Sequence, residues 1–249
     1  MPELIRAPNI AAPHGFTTRA GGVSGGAYAG LNLGLSSGDD AAAVAENRRR
    51  VLEVLGAAQG DVCAFHQVHG DRVLEASPSW FEEEADAAVS DTPGLWLVVS
   101  TADCLPVLFH DPRTGAVGAA HCGWRGTVAR LAQRTVEALR SRFGCDPADV
   151  RVAFGPAIRQ PYYQVGPEVA RAFLAAGFPE GVFKENGAGV LLDVPGANRW
   201  LLLESGVQEA NLWDSGLCTY EDRRFYSHRR DRGRTGRQWG VIQVPSPQK

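Results

Sequence analysis

The sequence predicts a mixed α/β (α+β) fold, a layered sandwich of mixed β-sheets flanked by helices rather than a doubly wound parallel sheet. Apolar runs of strand length recur at even spacing through the 249 residues, and segments with helical periodicity separate them only in places. Because strands and helices alternate loosely, successive strands need not be parallel. No Ser/Gly/Pro-rich linker or charge block divides the chain, so we expect residues 1–249 to form a single domain.

The first third of the chain contains a loop-rich segment, one helix and two strands. Residues 15–38 are dense in glycine and small polar residues, which is typical of turns that join short extended pieces. A helix is predicted over residues 40–55, because Asp39 or Asp40 can cap it, apolar residues recur at helical spacing and Gly56 ends it. Strands are predicted over residues 62–67 and 72–76.

The rest of the chain is predicted to form a compact β unit and a long helix, followed by strands and helices that alternate loosely. Strands are predicted over residues 95–100, 105–110 and 116–121, and the turn "DPRTG" separates the last two. After Gly123 the period becomes helical, which predicts a helix over residues 124–143 with apolar residues on one face. Further segments are a strand over 150–154, a helix over 167–176, a strand over 190–193, a helix over 197–205 and a strand over 239–244.

Composition and charge narrow the classes of function. The chain is 44% hydrophobic and 21% charged, with a net charge of -3, so it reads as an ordinary globular protein without a general affinity for nucleic acid or anionic membranes. The amino terminus shows no signal-peptide pattern and no run of 18 apolar residues occurs, which predicts a cytoplasmic protein with no membrane partner. Five cysteines without a CxxC pair favour free thiols or metal ligands over a disulfide framework.

One basic stretch departs from the average charge. The segment "RRFYSHRRDRGRTGR", residues 223–237, holds seven arginines and two aromatic residues, a composition that can bind single-stranded nucleic acid. Glu221, Asp222 and Asp231 dilute this charge, and the chain as a whole is negative. We therefore expect no nucleic-acid partner.

Two apolar runs in "TADCLPVLFHDPRTGAVGAAHCGWRG", residues 101–126, carry Cys104 and His121 at their ends. The turn between the runs folds one strand back on the other and brings Cys104 to within a few residues of the level of His121. His69 of "FHQVHG" stands at a strand end, where ligands on a rigid scaffold are common. One thiolate and two imidazoles suit Zn²⁺, and three protein ligands with an open position are typical of a catalytic site, where bound water has a pKa of about 7.

Other interpretations stay open from the residues alone. Cys104 and His121 can be core residues, since a Cys in an apolar run is usually a small buried hydrophobe. Cys104 can also be a thiol nucleophile with His121 as its base. Asp103 can act as an acid or base, although such an Asp more commonly hydrogen-bonds backbone or an arginine. Cys122 is expected to face away from His121 and pack in the core.

Six ordered motifs together resemble one known family. They are "GGVSGGAYAGLNLG" with "GDD", "HQVHGDRV", "ADCLPVLFHD", "AAHCGWRG", "GPAI" with the "VGPEV" that follows it, and "FYSHRRD" with "TGRQ". In this order they resemble the YfiH/laccase-domain family, which includes polyphenol oxidase-type proteins, peptidoglycan editing factors and FAMIN-related purine nucleoside phosphorylases. The resemblance runs from about residue 14 to about residue 243.

The resemblance implies a fold, a cofactor and an activity. It implies stacked sheets covered by helices, and Zn²⁺ bound by His69, Cys104 and His121, with Cu²⁺ as the alternative ion. It also implies phosphorolysis of adenosine, guanosine, inosine and methylthioadenosine, with adenosine deaminase activity at the same site. We therefore expect purine nucleosides and phosphate as partners, and a monomer or a weak homodimer.

The same resemblance, with the need to bind a phosphate close to the ribose C1′ and to tolerate positive charge that develops on the sugar, points to particular side chains. The candidate phosphate-binding residues are Arg48, Arg125, Arg229 and Arg230, and the candidate catalytic residues are Cys104, His121, Asp103 and Arg48. Two other activities remain alternatives: a cysteine or zinc hydrolase that edits peptidoglycan precursors, and a copper-dependent polyphenol oxidase. The chain has only six histidines, too few for a multicopper cluster, and four of them lack clustered spacing: His14, His66, His110 and His228.

Overall fold

The structure, a computed structural model, describes residues 1–185, 187 and 189–246. Within these ranges the chain forms three sheets and five α-helices, which confirms the predicted mixed α/β class. The first sheet contains, in spatial order, β1 (Leu4–Ile5), β2 (His14–Thr17), β15 (Gln238–Gln243), β7 (Trp96–Thr101), β3 (Val62–His66) and β5 (Ser79–Glu84). Strand β15 pairs antiparallel with both neighbours, whereas β3 is parallel to both of its own.

The second sheet is built around an antiparallel hairpin. Its strands, in spatial order, are β14 (Leu212–Asp214), β10 (Arg151–Phe154), β8 (Leu105–His110), β9 (Val117–Cys122), β6 (Ala87–Ser90) and β4 (Val73–Glu75). The β8–β9 hairpin confirms the pairing predicted from the "DPRTG" turn, and its register sets Pro106 opposite His121. Strand β6 pairs with the free edge of β9 and sets Ala87 opposite Ala120.

A small antiparallel sheet and the helices complete the described part of the chain. The small sheet contains β11 (Gln164–Val165), β13 (Val190–Leu192) and β12 (Phe183–Glu185). The helices are α1 (Ala41–Leu55), α2 (Trp124–Val128), α3 (Leu131–Phe143), α4 (Pro167–Ala175) and α5 (Val194–Glu204). Among the described residues, no helix combines the length and the apolar character that a bilayer crossing requires.

Three clusters of buried apolar residues arrange these elements in layers. One cluster fills the space between the two large sheets and includes Leu97 of the first and Leu108 of the second. A second covers the other face of the second sheet, where Phe109 packs with residues of α3 and α5. A third covers the outer face of the first sheet and includes Val51 of α1 and Trp239 of β15. The order is therefore helix, sheet, sheet, helices.

Helix α1 begins and ends where the sequence predicts. The carboxylate of Asp40 accepts hydrogen bonds from the backbone N–H groups of Ala42 at 2.7 Å and Ala43 at 3.4 Å. Gly56 ends the helix in the left-handed conformation, with a φ of 65°. The cap and the stop signal are both local, so the sequence alone was sufficient to place this helix.

The single helix predicted over residues 124–143 is wrong. Arg130 adopts a left-handed φ of 62° and separates α2 from α3. Its guanidinium donates to the carbonyl of Ala176 at 3.0 Å, beyond the end of α4. This contact spans 46 positions in the chain, so the amphipathic pattern across the break does not reveal it.

Smaller differences concern short elements. Helix α5 begins at Val194, three residues before the predicted start, because Asp193 caps it through the N–H of Gly196 and Pro195 occupies its first turn. The sequence did not single out strands β1, β2, β5, β6, β11, β12 and β14. Most of them are two to four residues long, which is too short for an alternating pattern to be distinctive.

Candidate functional site

Three separate segments bring His69, Cys104 and His121 together. Cys104 directly precedes β8 and His121 lies in β9 opposite Pro106, so the hairpin register places Cys104 two residues along the strand from the level of His121. His69 comes from the loop between β3 and β4. The predicted convergence of the three residues is confirmed, because their ligand atoms all lie within 4.8 Å of one another.

Gly123 permits this close approach. A Cβ atom built at this position would lie 3.0 Å from Sγ of Cys104 and 3.2 Å from a ring carbon of His69. The rings of His69 and His121 meet edge to face, with centroids 4.8 Å apart and an interplanar angle of 77°. A side chain at position 123 would therefore push two of the three donors apart.

The donor set fits a zinc ion by its chemistry. One thiolate and two imidazoles match the S and N ligands of zinc. In a tetrahedral site the ligand atoms are about 2.0–2.3 Å from the ion and therefore roughly 3.3–3.8 Å from one another. The spread of up to 4.8 Å requires only small side-chain adjustments to reach that spacing. His121 is buried and His69 is exposed, so the group lies at a boundary between the core and solvent.

Cys104 and His121 form a coupled acid–base pair. Burial raises the pKa of the Cys104 thiol, but the charge of His121 and hydrogen bonds from both histidines outweigh it and lower the pKa to about 6. Burial lowers the pKa of His121, but the Cys104 thiolate and Asp86 outweigh it and raise the pKa to about 9. Both shifts favour the thiolate form of Cys104, which is the form of the sulfur that binds metals.

Sequence reasoning missed Asp86, which contacts both histidines of the group. Its carboxylate accepts a hydrogen bond from Nδ1 of His121 at 2.8 Å and from the backbone N–H of His69 at 3.0 Å. The side chain is fully buried. A charged residue in front of the apolar run "AAVS" was the available signal, but its partners come from distant segments of the chain.

The turns that carry His69 and Cys104 have unusual backbone geometry. His69 has a φ of 61° and Asp103, which precedes Cys104, has a φ of 89°. Such values are uncommon outside glycine and tend to occur at functional sites. The carboxylate of Asp103 accepts hydrogen bonds from Oγ1 of Thr219 at 2.6 Å and from the backbone N–H of Arg229 at 2.7 Å. The expectation that Asp103 bonds backbone is confirmed, and the bonds tie the Cys104 turn to the basic segment.

The three donors open into a pocket of about 550 Å³, a volume within the usual range for small-molecule sites. The pocket is mixed in character, with aromatic, hydroxyl and cationic walls. Its lining consists of Gly34, Leu35, Ser36, Ser37, Arg48, Phe65, His66, Gln67, His69, Ser100, Ala102, Asp103, Cys104, His121, Trp124, Arg125, Tyr163, His228, Arg229 and Arg237.

Three of the four predicted phosphate-binding arginines lie in this lining. Arg48 is buried and donates from Nε and Nη2 to the carbonyl of Leu33, and burial lowers its pKa to about 10. Arg229 donates from Nη1 to the carbonyl of Gln164 at 2.7 Å. Arg125 is exposed, and its guanidinium lies 4.4 Å from the ring centroid of Trp124.

Arg230 lies outside the pocket lining. Its guanidinium pairs with Asp231 and donates to the carbonyls of Thr219 and Phe225. Arg237 of the same basic segment does line the pocket, and the sequence analysis did not single it out. Burial lowers the pKa of Arg237. The "TGRQ" motif contained this residue, but neighbouring arginines of identical chemistry gave no basis for preferring it.

Other titratable residues of the sequence analysis take different positions. Cys122 is buried in the cluster beneath α3, which confirms that it faces away from His121. His66 and His228 line the pocket as exposed side chains. Within the part of the chain that the structure describes, His69, Cys104 and His121 are the one group of three or more His, Cys, Asp or Glu residues placed to hold a metal ion.

Comparisons with known proteins agree with this architecture. Residues 13–245 match the family described as multi-copper polyphenol oxidoreductase laccase. A purine nucleoside phosphorylase from Deinococcus radiodurans is 51% identical over 97% of this chain and 93% of that protein. The purine nucleoside phosphorylase YfiH of Escherichia coli is 39% identical over 91% of each chain.

Solved structures show the same fold. YlmD from Geobacillus stearothermophilus superposes with a TM-score of 0.90 at 36% identity, covering 96% of this chain and 94% of that one. A hypothetical protein YfiH from Bacillus licheniformis superposes with a TM-score of 0.88 at 34% identity, covering 93% and 92% respectively. The chain therefore belongs to the multi-copper polyphenol oxidoreductase laccase family, in which its relatives are YfiH- and YlmD-type proteins.

Proposed function

We propose that this protein is a zinc-dependent enzyme that cleaves purine nucleosides by phosphorolysis. The observation that carries the proposal is one pocket that joins the His69, Cys104 and His121 group to several arginines. The names of the relatives, purine nucleoside phosphorylases, support the same reaction class.

The walls of the pocket suit the parts of a nucleoside. Trp124 and Tyr163, which are partly exposed, offer flat apolar surface to a purine and a ribose, because aromatic faces stack well on bases. Two arginines of the pocket lie against these rings. The guanidinium of Arg125 contacts the ring of Trp124, and that of Arg229 contacts the ring of Tyr163. A phosphate bound by these guanidinium groups would lie next to the sugar.

In phosphorolysis a phosphate oxygen forms a bond to C1′ of the ribose. The bond between C1′ and the base nitrogen N9 breaks, its electron pair leaves with the base, and the base takes up one proton, which balances the proton that hydrogen phosphate loses when it becomes the ester. The products are ribose 1-phosphate and the free purine. In this proposal Arg48, Arg125 and Arg229 hold the phosphate dianion against the positive charge that develops on the sugar, which is how fixed charges accelerate such steps.

Zn²⁺ is the proposed ion, and His69, Cys104 and His121 would hold it. A bound zinc ion supplies a Lewis acid at neutral pH. Asp103 orients the Cys104 turn in this proposal, because both of its carboxylate oxygens accept hydrogen bonds from protein donors. Cu²⁺ has the same donors available, but the described residues offer no second group of ligands for a multicopper cluster.

Deamination of adenosine is the second candidate. The observation in its favour is that the three donors line the same pocket as the arginines, with His69 exposed to solvent, so a polar group of a bound purine can reach them. Hydrolysis of peptidoglycan precursors with Cys104 as nucleophile is the further alternative, and the thiolate character of Cys104 is what supports it.

Product analysis separates these reactions. Zinc-loaded protein is incubated with inosine or adenosine and phosphate, and free base, ribose 1-phosphate and ammonia are quantified. We expect Cys104→Ser to reduce the rate of base release about a hundredfold or more and to lower the zinc content, since a hydroxyl replaces the thiolate ligand. Cys145→Ser is the matched control, because Cys145 is buried beside Thr114 outside the pocket. Full base release by zinc-free Cys104→Ser protein would contradict the proposal.

We also propose that the enzyme works in the cytoplasm as a monomer or a weak homodimer. The five cysteines are all free thiols, which suits a reducing compartment. Light scattering over a range of protein concentrations tests the oligomeric state, and a stable higher oligomer would contradict the proposal of a monomer or a weak homodimer.

A further inference from the structure

We propose that Asp86 is the positioning residue of the metal centre. Its single carboxylate fixes both the conformation of the loop that carries His69 and the orientation of the His121 ring. This inference rests on the proposed metal-binding role of His69, Cys104 and His121. It adds a fourth residue that does not touch the ion, and it states what that residue does for the two histidines.

The first observation is the contact between Asp86 and the His69 loop. Oδ2 of Asp86 accepts hydrogen bonds from the backbone N–H of Val68 at 3.1 Å and of Gly70 at 2.6 Å, and Oδ1 accepts from the N–H of His69 at 3.0 Å. Three consecutive amides thus converge on one carboxylate. This arrangement stabilises the left-handed conformation of His69, whose φ of 61° would otherwise be unfavourable.

The second observation is the contact between Asp86 and His121. Oδ1 of Asp86 accepts a hydrogen bond from Nδ1 of His121 at 2.8 Å, and the backbone carbonyl of Asp86 accepts one from the N–H of His121 at 2.7 Å. Both bonds follow from the β6–β9 pairing, which sets Ala87 opposite Ala120. With the proton held on Nδ1, the lone pair of Nε2 is left for a metal, and the orientation of the ring is fixed.

The third observation is that every partner of this carboxylate is a donor. Asp86 is fully buried, and its two oxygens together accept from three amides and one imidazole. An asparagine of the same shape would turn an NH₂ group toward N–H donors, so the site requires a carboxylate rather than an amide. A buried carboxylate with these partners has no remaining contact with the pocket, and Asp86 is not part of the pocket lining. It therefore acts through the two histidines.

A second buried aspartate shows what a purely structural carboxylate looks like in this chain. Asp111 is also fully buried, and it accepts hydrogen bonds from the N–H of Arg113 at 2.8 Å and from Oγ1 of Thr114 at 3.0 Å. It follows β8 at the end opposite to Cys104 and organises the turn of the β8–β9 hairpin. The carboxylate of Asp111 contacts turn residues and the thiol of Cys145 rather than the histidines, so Asp111→Asn is a matched control for Asp86→Asn.

The test measures metal binding rather than turnover. Zinc affinity is determined by competition with a chromophoric chelator for the wild type, Asp86→Asn and Asp111→Asn, and the thiolate-to-metal absorption band is recorded with Co²⁺. We expect Asp86→Asn to bind Zn²⁺ roughly 10–100-fold more weakly, as is typical when the partner of a ligating histidine is changed, and to show an altered cobalt spectrum. Asp111→Asn should lower thermal stability but keep the zinc affinity within about twofold of the wild type.

The outcomes separate this inference from the function on which it rests. Equal zinc affinity and an unchanged cobalt spectrum in Asp86→Asn would overturn the role of Asp86 and leave the metal site intact. A wild type that binds no zinc would overturn the metal site and the role of Asp86 together.

A measurement on the wild type keeps the inference testable if Asp86→Asn does not fold. Nitrogen-15 NMR of histidine-labelled, zinc-loaded protein identifies which ring nitrogen of His121 carries the proton. We expect the proton on Nδ1, protected from exchange with solvent. A proton on Nε2, or a rapidly exchanging one on Nδ1, would overturn the inference.

Discussion

The arginines around the pocket differ in how each guanidinium is engaged by the protein. Arg48 donates twice to the carbonyl of Leu33, and Arg237 donates to the carbonyls of Thr235 and Gly236. Arg125 instead rests on the ring of Trp124 in the first turn of α2 and is exposed. Arg125 can therefore direct its N–H groups at a bound anion without breaking a bond to a carbonyl.

Arg125→Ala should weaken phosphate binding more than nucleoside binding. A hydrogen bond to a charged group contributes about 1.5–3 kcal/mol, which corresponds to a roughly 10–100-fold increase in the KM for phosphate. Initial rates at varied phosphate and fixed inosine measure this change. Arg134→Ala is the control, since Arg134 is exposed and pairs with Asp71 outside the pocket. An unchanged KM for phosphate in Arg125→Ala would remove Arg125 from the phosphate site.

At the level of single residues, the sequence identified those whose positions follow from local structure. Cys104 and His121 meet because one tight turn folds β8 onto β9, and that turn is visible in the sequence. Asp86 and Arg237 reach the site through contacts with segments far away in the chain, such as the bond from Arg237 to Asn32. No local pattern records contacts of that kind.

Among the helices and strands, too, the predictable elements are those fixed by local sequence, and the others depend on distant contacts. Helix α1 was predicted because its cap, its apolar spacing and its terminal glycine lie within one segment. The break between α2 and α3 was not predicted, because residues on both sides fit a single amphipathic face. The contact that accompanies the break joins Arg130 to Ala176, which lies just beyond α4 and far away in the chain. Short edge strands such as β14 exist through pairing with their neighbours rather than through their own pattern.

Removal of the cap of α1 should destabilise the protein by a predictable amount. In Asp40→Ala the N–H groups of Ala42 and Ala43 lose their acceptor, which costs about 1 kcal/mol of unfolding free energy. Urea unfolding at neutral pH measures the difference. Glu53→Ala on the same helix removes only an exposed pair with Arg49 and should change stability by less than about 0.5 kcal/mol. A cap variant as stable as the wild type would show that α1 is held by packing alone.

On the scale of the whole molecule, the class of fold was predictable but the order of the strands was not. The closing strand β15 inserts between β2 and β7, so the two ends of the chain meet in the middle of the first sheet. Alternating apolar residues indicate that a strand has a buried face, but they do not indicate which strand lies beside it. The layers of helix, sheet, sheet and helices arise from that pairing.

Global stability should fall in mild acid because of a buried neutral histidine. Nε2 of His14 accepts from the N–H of Ala7 and Nδ1 donates to the carbonyl of Ala12, and burial, with a smaller contribution from the nearby Arg6, lowers its pKa below 6.5. Below about pH 6.5 the unfolded state therefore binds more protons than the folded state. The stability that neutral His14 contributes is complete above pH 6.5 and is lost as the pH falls toward its folded pKa.

Urea unfolding at pH 7.5 and pH 5.5 tests this linkage. The wild type should lose more unfolding free energy between the two pH values than His14→Gln, whose amide does not titrate. His228→Gln, at an exposed histidine, should lose as much as the wild type. An identical loss in all three proteins would assign the acid sensitivity to other groups.

The central claim is that a single pocket binds phosphate beside a metal-binding group and transfers a ribosyl group from a purine to phosphate. Phosphorus NMR with chromatography of the base, on zinc-loaded protein and inosine with and without phosphate, tests it most directly. We predict hypoxanthine and ribose 1-phosphate in equal amounts, formed only when phosphate is present. Release of hypoxanthine with free ribose at a rate independent of phosphate, or no release at all, would contradict the account.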